Sequence, residues 1–300
     1  MSAPHNSQRD FFFIVLASVS WGTVGVANRL LYGFGATNAL SLSFLRLAFA
    51  VPFFLLAGWF TLKRRLFVIQ KRDLAVMVLM GCLMALSQAL YVAAIEAIGV
   101  SVSTLIAICA APVIVALLSA FILHERVTLM TLVALAAAVS GTALLISTPS
   151  LPAADGASPG ALLAFLSACG YAGFIFCGRL LTSGYHPVQI TTVAFGAGAL
   201  LLLICAASTR LVLTYPPGGW LILLYLGIVP TALGYGLFQA GMRSIPATLA
   251  SIITMCEPLT AALLAWLLFH EELGLLGLVG AGLLLGAMAL IVLLPQKYFE

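Results

Sequence analysis

The segment "EPLTAALLAWLLFHEELGLLGLV", residues 257–279, decides the fold of this chain because a close copy of it occurs earlier. The copy, "APVIVALLSAFILHERVTLMTLV", residues 111–133, aligns with it without a gap. In each segment a His-Glu pair begins twelve residues after a proline, Pro112 in one and Pro258 in the other. Histidine occurs only 4 times in the 300 residues, so this match indicates an internal duplication.

The composition indicates an integral membrane protein. Hydrophobic residues make up 63% of the chain and charged residues only 7%. A soluble globular domain is about one quarter charged, and a chain with so few charges cannot cover a water-facing surface. The apolar runs are long and do not alternate with polar residues, which excludes a membrane β-barrel. The predicted fold class is therefore an all-α integral membrane protein.

Ten apolar runs have roughly the 20 residues that a helix needs to cross the hydrocarbon core. They are residues 11–32, 38–61, 74–97, 100–122, 128–147, 160–182, 187–208, 219–242, 246–268 and 273–294. The connections are short except near the middle of the chain, where Pro, Gly and Ser are frequent. We therefore predict a first five-helix repeat at residues 1–148, a linker at 149–159 and a second five-helix repeat at 160–300.

A second match supports the duplication and predicts its geometry. Residues 16–31 parallel residues 166–181, and Arg29 aligns with Arg179. Each half then has five spans, and an odd number of spans turns the second half upside down relative to the first. Inverted repeats of this kind are the arrangement that many transporters use for alternating access.

Charge predicts the orientation. Five of the 13 Lys and Arg residues lie in the segment "KRRLFVIQKRD", residues 63–73, and cytoplasmic loops carry an excess of such residues. This segment follows two spans, so the N-terminus and, after ten spans, the C-terminus are expected to be cytoplasmic. The net charge of +4 comes mostly from this topology signal, and we expect no nucleic-acid partner.

The sequence offers little for catalysis or cofactor binding. The 6 cysteines lie in apolar runs without CxxC spacing, and neither His-Glu pair forms the HExxH motif of a zinc peptidase. The predicted spans contain no aspartate, and there is no Walker A motif. We expect no enzyme activity, no metal and no cofactor. Glu125 and Glu271 are instead predicted to begin the helices that follow them, where the helix dipole stabilises a carboxylate by about 0.3–1 kcal/mol.

These features resemble the drug/metabolite transporter superfamily, EamA type. The resemblance rests on two five-span halves, the paired proline and His-Glu motif, "SVSWG" at residues 18–22 and "FLRLAFA" with Arg46 at residues 44–50. Within that superfamily the chain is similar to bacterial inner-membrane exporters of aromatic and other neutral amino acids. It departs from strict symmetry, since the second half has Tyr171 in place of Trp21 and no counterpart of Arg46.

A solute path near the membrane midplane is expected to be lined by the rare polar and aromatic residues of the spans. Several of these share helix faces at three-to-four spacing. An aromatic among them has packing as an alternative role, and a glutamine could instead bridge helices. The predicted substrate-binding residues are Trp21, Asn28, Met84, Gln88, Tyr91, Tyr171, Phe174, Tyr235, Phe238 and Gln239.

The ionisable residues of the spans need a partner or a purpose, because a charge at mid-membrane costs at least about 2.5–3.5 kcal/mol. We single out Glu257, which could bind a proton or a substrate amine, or could cap a helix. Pro112 and Pro258 are predicted hinges, with fixed kinks as the alternative.

The function that the sequence predicts is secondary export of small organic solutes, most of all aromatic or other neutral amino acids, by alternating access without ATP hydrolysis. The alternatives are export of other drug-like metabolites and a non-transporting receptor or assembly subunit. We expect the substrate and the lipid bilayer as partners, a bacterial inner-membrane location and a monomer, since ten spans can enclose a path alone.

Overall fold

The computed structural model describes residues 7–35, 38–125, 127–146, 157–208, 211–270 and 274–292. Within these ranges it has ten apolar helices long enough to cross a membrane, and no strand. The helices are α1 (Gln8–Tyr32), α2 (Ala39–Phe67), α3 (Lys71–Ile98), α4 (Val102–Phe121), α5 (Leu129–Ile146), α6 (Pro159–Leu181), α7 (Pro187–Ala207), α8 (Pro217–Gly241), α9 (Ala247–Phe269) and α10 (Leu275–Val292).

Each of the ten predicted spans corresponds to one of these helices, so the predicted all-α, ten-span fold is confirmed. The largest difference at a helix end is at α2, which continues through the basic segment as a 3₁₀ turn, Lys63–Phe67. Most of the predicted linker, residues 149–156, and Glu271 lie outside the described residues. The division into an inverted pair of repeats remains a prediction.

The two halves of the chain interlock. The most extensive helix contacts all join one half to the other: α3 with α6 and α7, α5 with α10, α2 with α7, and α4 with α6. Small residues allow this close approach. Ser87 and Ser167 each donate a hydroxyl hydrogen bond, 2.9 Å long, to the backbone carbonyl of the other, and Gly141 of α5 faces Gly280 of α10.

Three of the helices are interrupted near their middle. Helix α1 breaks at Thr23, and α8 contains a π-helical turn at Gly227–Leu233 that includes Pro230. Helix α9 breaks after Ile253, because Pro258 has no N–H to donate to the carbonyl of Thr254. That carbonyl accepts a bond from the Glu257 N–H instead.

The predicted hinges therefore differ from one another. Helix α9 is interrupted immediately before Pro258, whereas the helix around Pro112 runs unbroken from Val100 to Phe121. A proline in both repeats does not imply the same break in both.

Candidate functional site

One large cavity opens between the helices at one end of the bundle. Its volume is about 1780 Å³, and its wall comes from both halves of the chain. The wall includes Asn28 near the end of α1, Glu96 near the end of α3 and Gly274 before α10. We call this the open end of the bundle, and the end that carries the start of α1 and the α8–α9 turn the closed end.

Most of the predicted site residues reach this cavity. Six of the ten predicted substrate-binding residues line it, together with Glu257 and both predicted hinge prolines. The six are Trp21, Asn28, Gln88, Tyr91, Tyr171 and Tyr235.

Met84, Phe174, Phe238 and Gln239 lie outside the cavity wall, in contrast to our expectation. All four are buried, with at most 2% of each side chain exposed. They share helix faces with lining residues, but each lies about one turn closer to the closed end, where the helices meet. Gln239 bridges helices there, donating to the Gly178 carbonyl at 2.8 Å. Periodicity identified the face and not the depth at which the cavity ends.

Aromatic rings form the bottom of the cavity. Trp21 and Tyr235 line it with ring centroids 4.6 Å apart, and Tyr235 packs 4.9 Å from the buried Phe195. Phe238 lies 5.4 Å from Trp21 and Phe174 lies 5.6 Å from Tyr235, so both support the lining pair from the closed side. The cavity therefore offers an aromatic surface at its deepest point.

Trp21 also fixes the interrupted helix α8. Its indole N–H donates to the Pro230 carbonyl at 2.7 Å, and the Thr231 hydroxyl donates to the Leu226 carbonyl at 2.7 Å. These are carbonyls within or next to the π-helical turn, where the regular helical ladder is interrupted. The bond holds the Trp21 ring against α8, beside Tyr235.

The cavity carries charges of both signs. Arg46 and Glu257 line it on helices α2 and α9. Arg46 is anchored by a 3.4 Å hydrogen bond from its Nε to the Thr231 hydroxyl. Arg29 and Glu96 lie nearer the mouth, and the Arg29 guanidinium stacks 3.8 Å above the ring centroid of Phe269. The deeper pair offers a cation and an anion to a single solute.

Neutral polar groups complete the wall. The hydroxyls of Tyr91 and Thr104 are hydrogen-bonded, and the Ser43 hydroxyl donates to Gln88 Oε1 at 3.5 Å. The side-chain oxygen of Asn28 is buried and has no hydrogen-bond partner among the described residues. A bound solute with an N–H donor would satisfy it.

The closed end is held by a second group of polar residues. Glu125 accepts from Arg179 Nε at 3.2 Å and from the Ala247 N–H, at the start of α9, at 3.1 Å. Arg179 also donates to the backbone carbonyl of Met242. Glu125 does stabilise a helix N-terminus, but the helix is α9, across the fold, and not the following helix as expected. We call Glu125, Arg179 and the turn at residues 242–248 the closed-end network.

The loop between α6 and α7 extends this end of the molecule. The Tyr185 hydroxyl donates to Asp73 Oδ2 at 2.6 Å, and this bond raises the pKa of Tyr185. Burial, with a smaller contribution from the Arg243 charge, lowers the pKa of His186 below its ordinary value. The His186 Nδ1 accepts from the Val188 N–H at 3.4 Å.

The histidines of the two repeated His-Glu pairs have the same backbone conformation. His124 and His270 both have φ near +55°, in the left-handed region. His270 directly follows Phe269, the last residue of its helix, whereas His124 lies three residues after Phe121, where its helix ends. Glu271 lies outside the described residues, so only Glu125 can be compared with the prediction.

Comparison with known proteins identifies the architecture. The model of the EamA-like transporter family matches residues 9–147 and again residues 158–293. This chain belongs to the EamA-like transporter family. It is a multi-pass membrane transporter, and the resemblance read from the sequence is confirmed.

Relatives of this EamA-type chain share its full length. It is 30% identical over 289 residues to a Bacillus subtilis (strain 168) protein named Uncharacterized transporter YwfM, covering 95% of this chain and 94% of that protein. An Archaeoglobus fulgidus protein named Uncharacterized transporter is 31% identical, over 92% and 93% of the two chains. A Salmonella typhimurium protein named Uncharacterized inner membrane transporter YicL is 27% identical, with 96% of each covered.

A solved crystal structure supports the fold independently. It superimposes with a TM-score of 0.84 at 19% identity and covers 97% of this chain and 98% of its own. At that identity the likeness concerns the fold alone.

Several residues of the site were outside our prediction. Arg46 was named only in the motif that carries the family resemblance, and Thr104, Thr231 and Phe195 were not among the predicted substrate-binding residues. Arg46 had a usable signal, since it is a rare cation inside an apolar run. Phe195 had none, because it is one of 18 phenylalanines.

Proposed function

We propose that this EamA-type transporter exports neutral amino acids, chiefly aromatic ones, by alternating access and without ATP hydrolysis. The observation that supports this most is the composition of the cavity, which combines opposite charges with aromatic rings. Arg46 and Glu257 supply the charges, and Trp21, Tyr171 and Tyr235 supply the rings.

A neutral amino acid fits this combination chemically. At neutral pH it carries an ammonium and a carboxylate on one carbon and an apolar side chain. Glu257 would accept hydrogen bonds from the ammonium, and Arg46 would donate to the carboxylate. An aromatic side chain would then pack against Trp21 and Tyr235 at the bottom of the cavity, while the amides of Asn28 and Gln88 meet the remaining polar atoms.

Glu257 is also the proposed site of energy coupling. A carboxylate that binds either a proton or the substrate ammonium makes the two compete, and such competition couples export of solute to import of protons. Arg46 across the cavity keeps this carboxylate from being an isolated buried charge.

The distribution of cations supports an orientation. Residues 63–72, Arg179 and Arg243 all lie at the closed end, which the positive-inside rule assigns to the cytoplasm. Both termini are then cytoplasmic and the cavity opens to the outside. We propose a monomer in the bacterial inner membrane, a location that the name of the Salmonella relative also carries. The matched conformations of His124 and His270 support the inverted repeat.

A second candidate is export of larger drug-like metabolites. The cavity volume of about 1780 Å³ favours it, because most small-molecule sites measure about 300–1,000 Å³ and an amino acid would leave space for water. Larger uncharged solutes would use the aromatic surface without the charge pair.

Transport by purified protein in proteoliposomes tests the proposal. We expect uptake of labelled phenylalanine, tryptophan or methionine above that of empty vesicles, increased by a pH gradient and reduced by a protonophore. Tyr91→Ala and Tyr235→Ala should each reduce the uptake, while Tyr91→Phe should retain more than Tyr91→Ala because the ring remains.

Competition by unlabelled solutes for this uptake distinguishes amino-acid export from export of larger drug-like metabolites. If unlabelled neutral amino acids fail to inhibit uptake while bulky uncharged metabolites inhibit it, the amino-acid proposal is wrong and the second candidate replaces it. If a protonophore has no effect and Glu257→Gln remains active, proton coupling at Glu257 is refuted.

A further inference from the structure

A cluster of exposed cations lies outside the cavity, where the 3₁₀ turn at the end of α2 leads into the start of α3. We call residues 63–72 the basic turn. Its five cations are all exposed to solvent: Lys63, Arg64, Arg65, Lys71 and Arg72. The carboxylate that follows, Asp73, accepts the hydroxyl hydrogen bond of Tyr185. Membrane orientation by the positive-inside rule depends only on the number of these cations. The structure of the turn also fixes their positions, which a binding surface requires.

A buried amide from the other half of the chain fixes the turn. The Gln189 side-chain nitrogen donates toward three backbone carbonyls of the turn, those of Arg65, Leu66 and Val68, at 3.0, 3.1 and 3.2 Å. Gln189 is 6% exposed, and Leu66 is 2% exposed. The backbone of the basic turn is therefore attached to α7 while its charged side chains point away.

The turn begins at a strained residue. Lys63 has φ of 51° and ψ of −129°, a backbone conformation that L residues rarely adopt. This bend ends the α-helical part of α2 at Leu62 and lets Arg64 and Arg65 follow within a single 3₁₀ turn. Strain of this kind persists only where surrounding contacts fix it, and the Gln189 bonds supply such contacts.

Large apolar side chains flank the cations. Phe60 is 79% exposed, Phe67 is 68% exposed and Val68 is 72% exposed. In a membrane protein such residues at the end of a span reach the boundary between acyl chains and headgroups. Guanidinium groups bind phosphate oxygens bidentately, and adjacent apolar side chains suit the acyl chains of the same molecule.

We propose that the basic turn is a binding surface for the headgroups of anionic phospholipids. Each cation near an anionic bilayer is expected to contribute about five-fold in affinity. Because Gln189 and Tyr185 join the turn to the second half, a lipid bound there should also hold the two halves together at the closed end. The inference uses only the membrane location and does not depend on the substrate.

Quenching of tryptophan fluorescence by brominated lipid measures this binding directly. Trp59 lies in the last turn of α2 and is 55% exposed, and its carbonyl accepts the N–H of Lys63. In a variant with Trp220→Phe and Trp266→Phe, Trp59 is the lipid-accessible reporter, because Trp21 is only 4% exposed. A second variant, with Trp59→Phe and Trp220→Phe, leaves Trp266, 50% exposed near the open end, as the matched control.

The full chain in neutral detergent is titrated with brominated phosphatidylglycerol or, separately, with brominated phosphatidylcholine. Inorganic phosphate is added as a competitor in a third experiment. We expect saturable quenching of Trp59 by phosphatidylglycerol alone, and weaker, non-saturating quenching of Trp266. Lys63→Gln/Arg64→Gln/Arg65→Gln should weaken the binding about 100-fold. Lys71→Gln/Arg72→Gln serves as a second variant if the triple variant does not fold, and Arg9→Gln, at the same end, should leave binding unchanged.

Three results would overturn the proposal. Equal quenching by phosphatidylcholine would show that Trp59 reports general lipid contact. Unchanged affinity in both neutralised variants would place the lipid elsewhere. Complete displacement by millimolar inorganic phosphate would identify a soluble anion as the ligand.

Discussion

In the proposed function, substrate binding depends most on the two cavity residues of opposite charge type, Arg46 and Glu257. Replacing one of the two removes its own contact with the substrate. It also leaves the remaining residue without a countercharge in a largely apolar bundle. The proposed orientation of an amino acid, ammonium to Glu257 and carboxylate to Arg46, separates the two roles.

Glu257→Gln should weaken the binding of phenylalanine to purified protein by about 10- to 100-fold, the loss expected for one hydrogen bond to a charged group. Binding of phenylpropionate, which lacks the ammonium, should change far less. Titration of each ligand by scintillation proximity or calorimetry gives the two ratios.

Arg46→Gln is the complementary variant. It should weaken the binding of phenylalanine by a similar factor. The binding of phenylethylamine, which lacks the carboxylate, should be nearly unchanged. If both variants weakened both analogues equally, the charges would be structural and the proposed orientation would be wrong.

At this scale the sequence predicted the types of residue better than their depth. Tyr91, Tyr171 and Tyr235 could be selected because polar aromatics are rare in apolar spans. Phe174 and Phe238 share their faces, yet they lie beneath the cavity because the helices converge toward the closed end. Where helices converge is a property of the whole bundle, which the periodicity of one helix cannot reveal.

At the scale of the helices, interruptions and close contacts decide which parts can move. The three interrupted helices, α1, α8 and α9, all contribute to the cavity, and α1 contacts both of the others. By contrast, α5 and α10 pack through glycines that leave no room for a side chain.

Gly280→Ala should destabilise the protein by about 1–3 kcal/mol, because its methyl carbon would lie 2.5 Å from the backbone carbonyl oxygen of Gly141. Gly282→Ala, two residues along α10 and facing open space, is the control and should be neutral or slightly stabilising. Thermal unfolding in detergent measures both. Equal stability of the two variants would mean that α5 and α10 do not pack at these glycines.

The closed-end network predicts a local effect. Arg179→Gln removes the ion pair with Glu125 and the bond to the Met242 carbonyl, so the turn at residues 242–248 should open more often. We expect its amide hydrogens to exchange about 10- to 100-fold faster, while those of α5 remain unchanged. Arg64→Gln, which removes an exposed cation at the same end, is the control. If the amide hydrogens of residues 242–248 exchanged at the same rate in the Arg179 variant, the closed-end network would not be what keeps this turn closed.

Sequence reasoning reached the number and order of the helices but not their interruptions. Ten apolar runs between charged or Pro/Gly breaks were sufficient to place ten spans within a few residues. The break at Thr23 has no proline, and the π-helical turn at residues 227–233 depends on bonds from Trp21 and within α8. Such features result from contacts between distant segments, so local propensity does not predict them.

For the molecule as a whole, interlocked halves surround a cavity that is accessible from one end and blocked at the other. Aromatic rings and the closed-end network form the block, and opposite charges lie above it. Alternating access requires this block to open while the mouth closes, with the solute held between.

Accessibility of the cavity from each side of the membrane tests this account most directly. Gly25 lines the cavity wall, and its Cβ position faces open space, so Gly25→Cys fits a cysteine-free background without a clash. Gly286→Cys, also facing open space but on α10 away from the cavity lining, is the matched control. A membrane-impermeant maleimide is applied to either face of oriented vesicles, with and without phenylalanine. We predict labelling of Gly25→Cys mainly from the outer face, slowed by phenylalanine, and little labelling of Gly286→Cys. Equal labelling from both faces, or labelling that phenylalanine does not slow, would contradict the account.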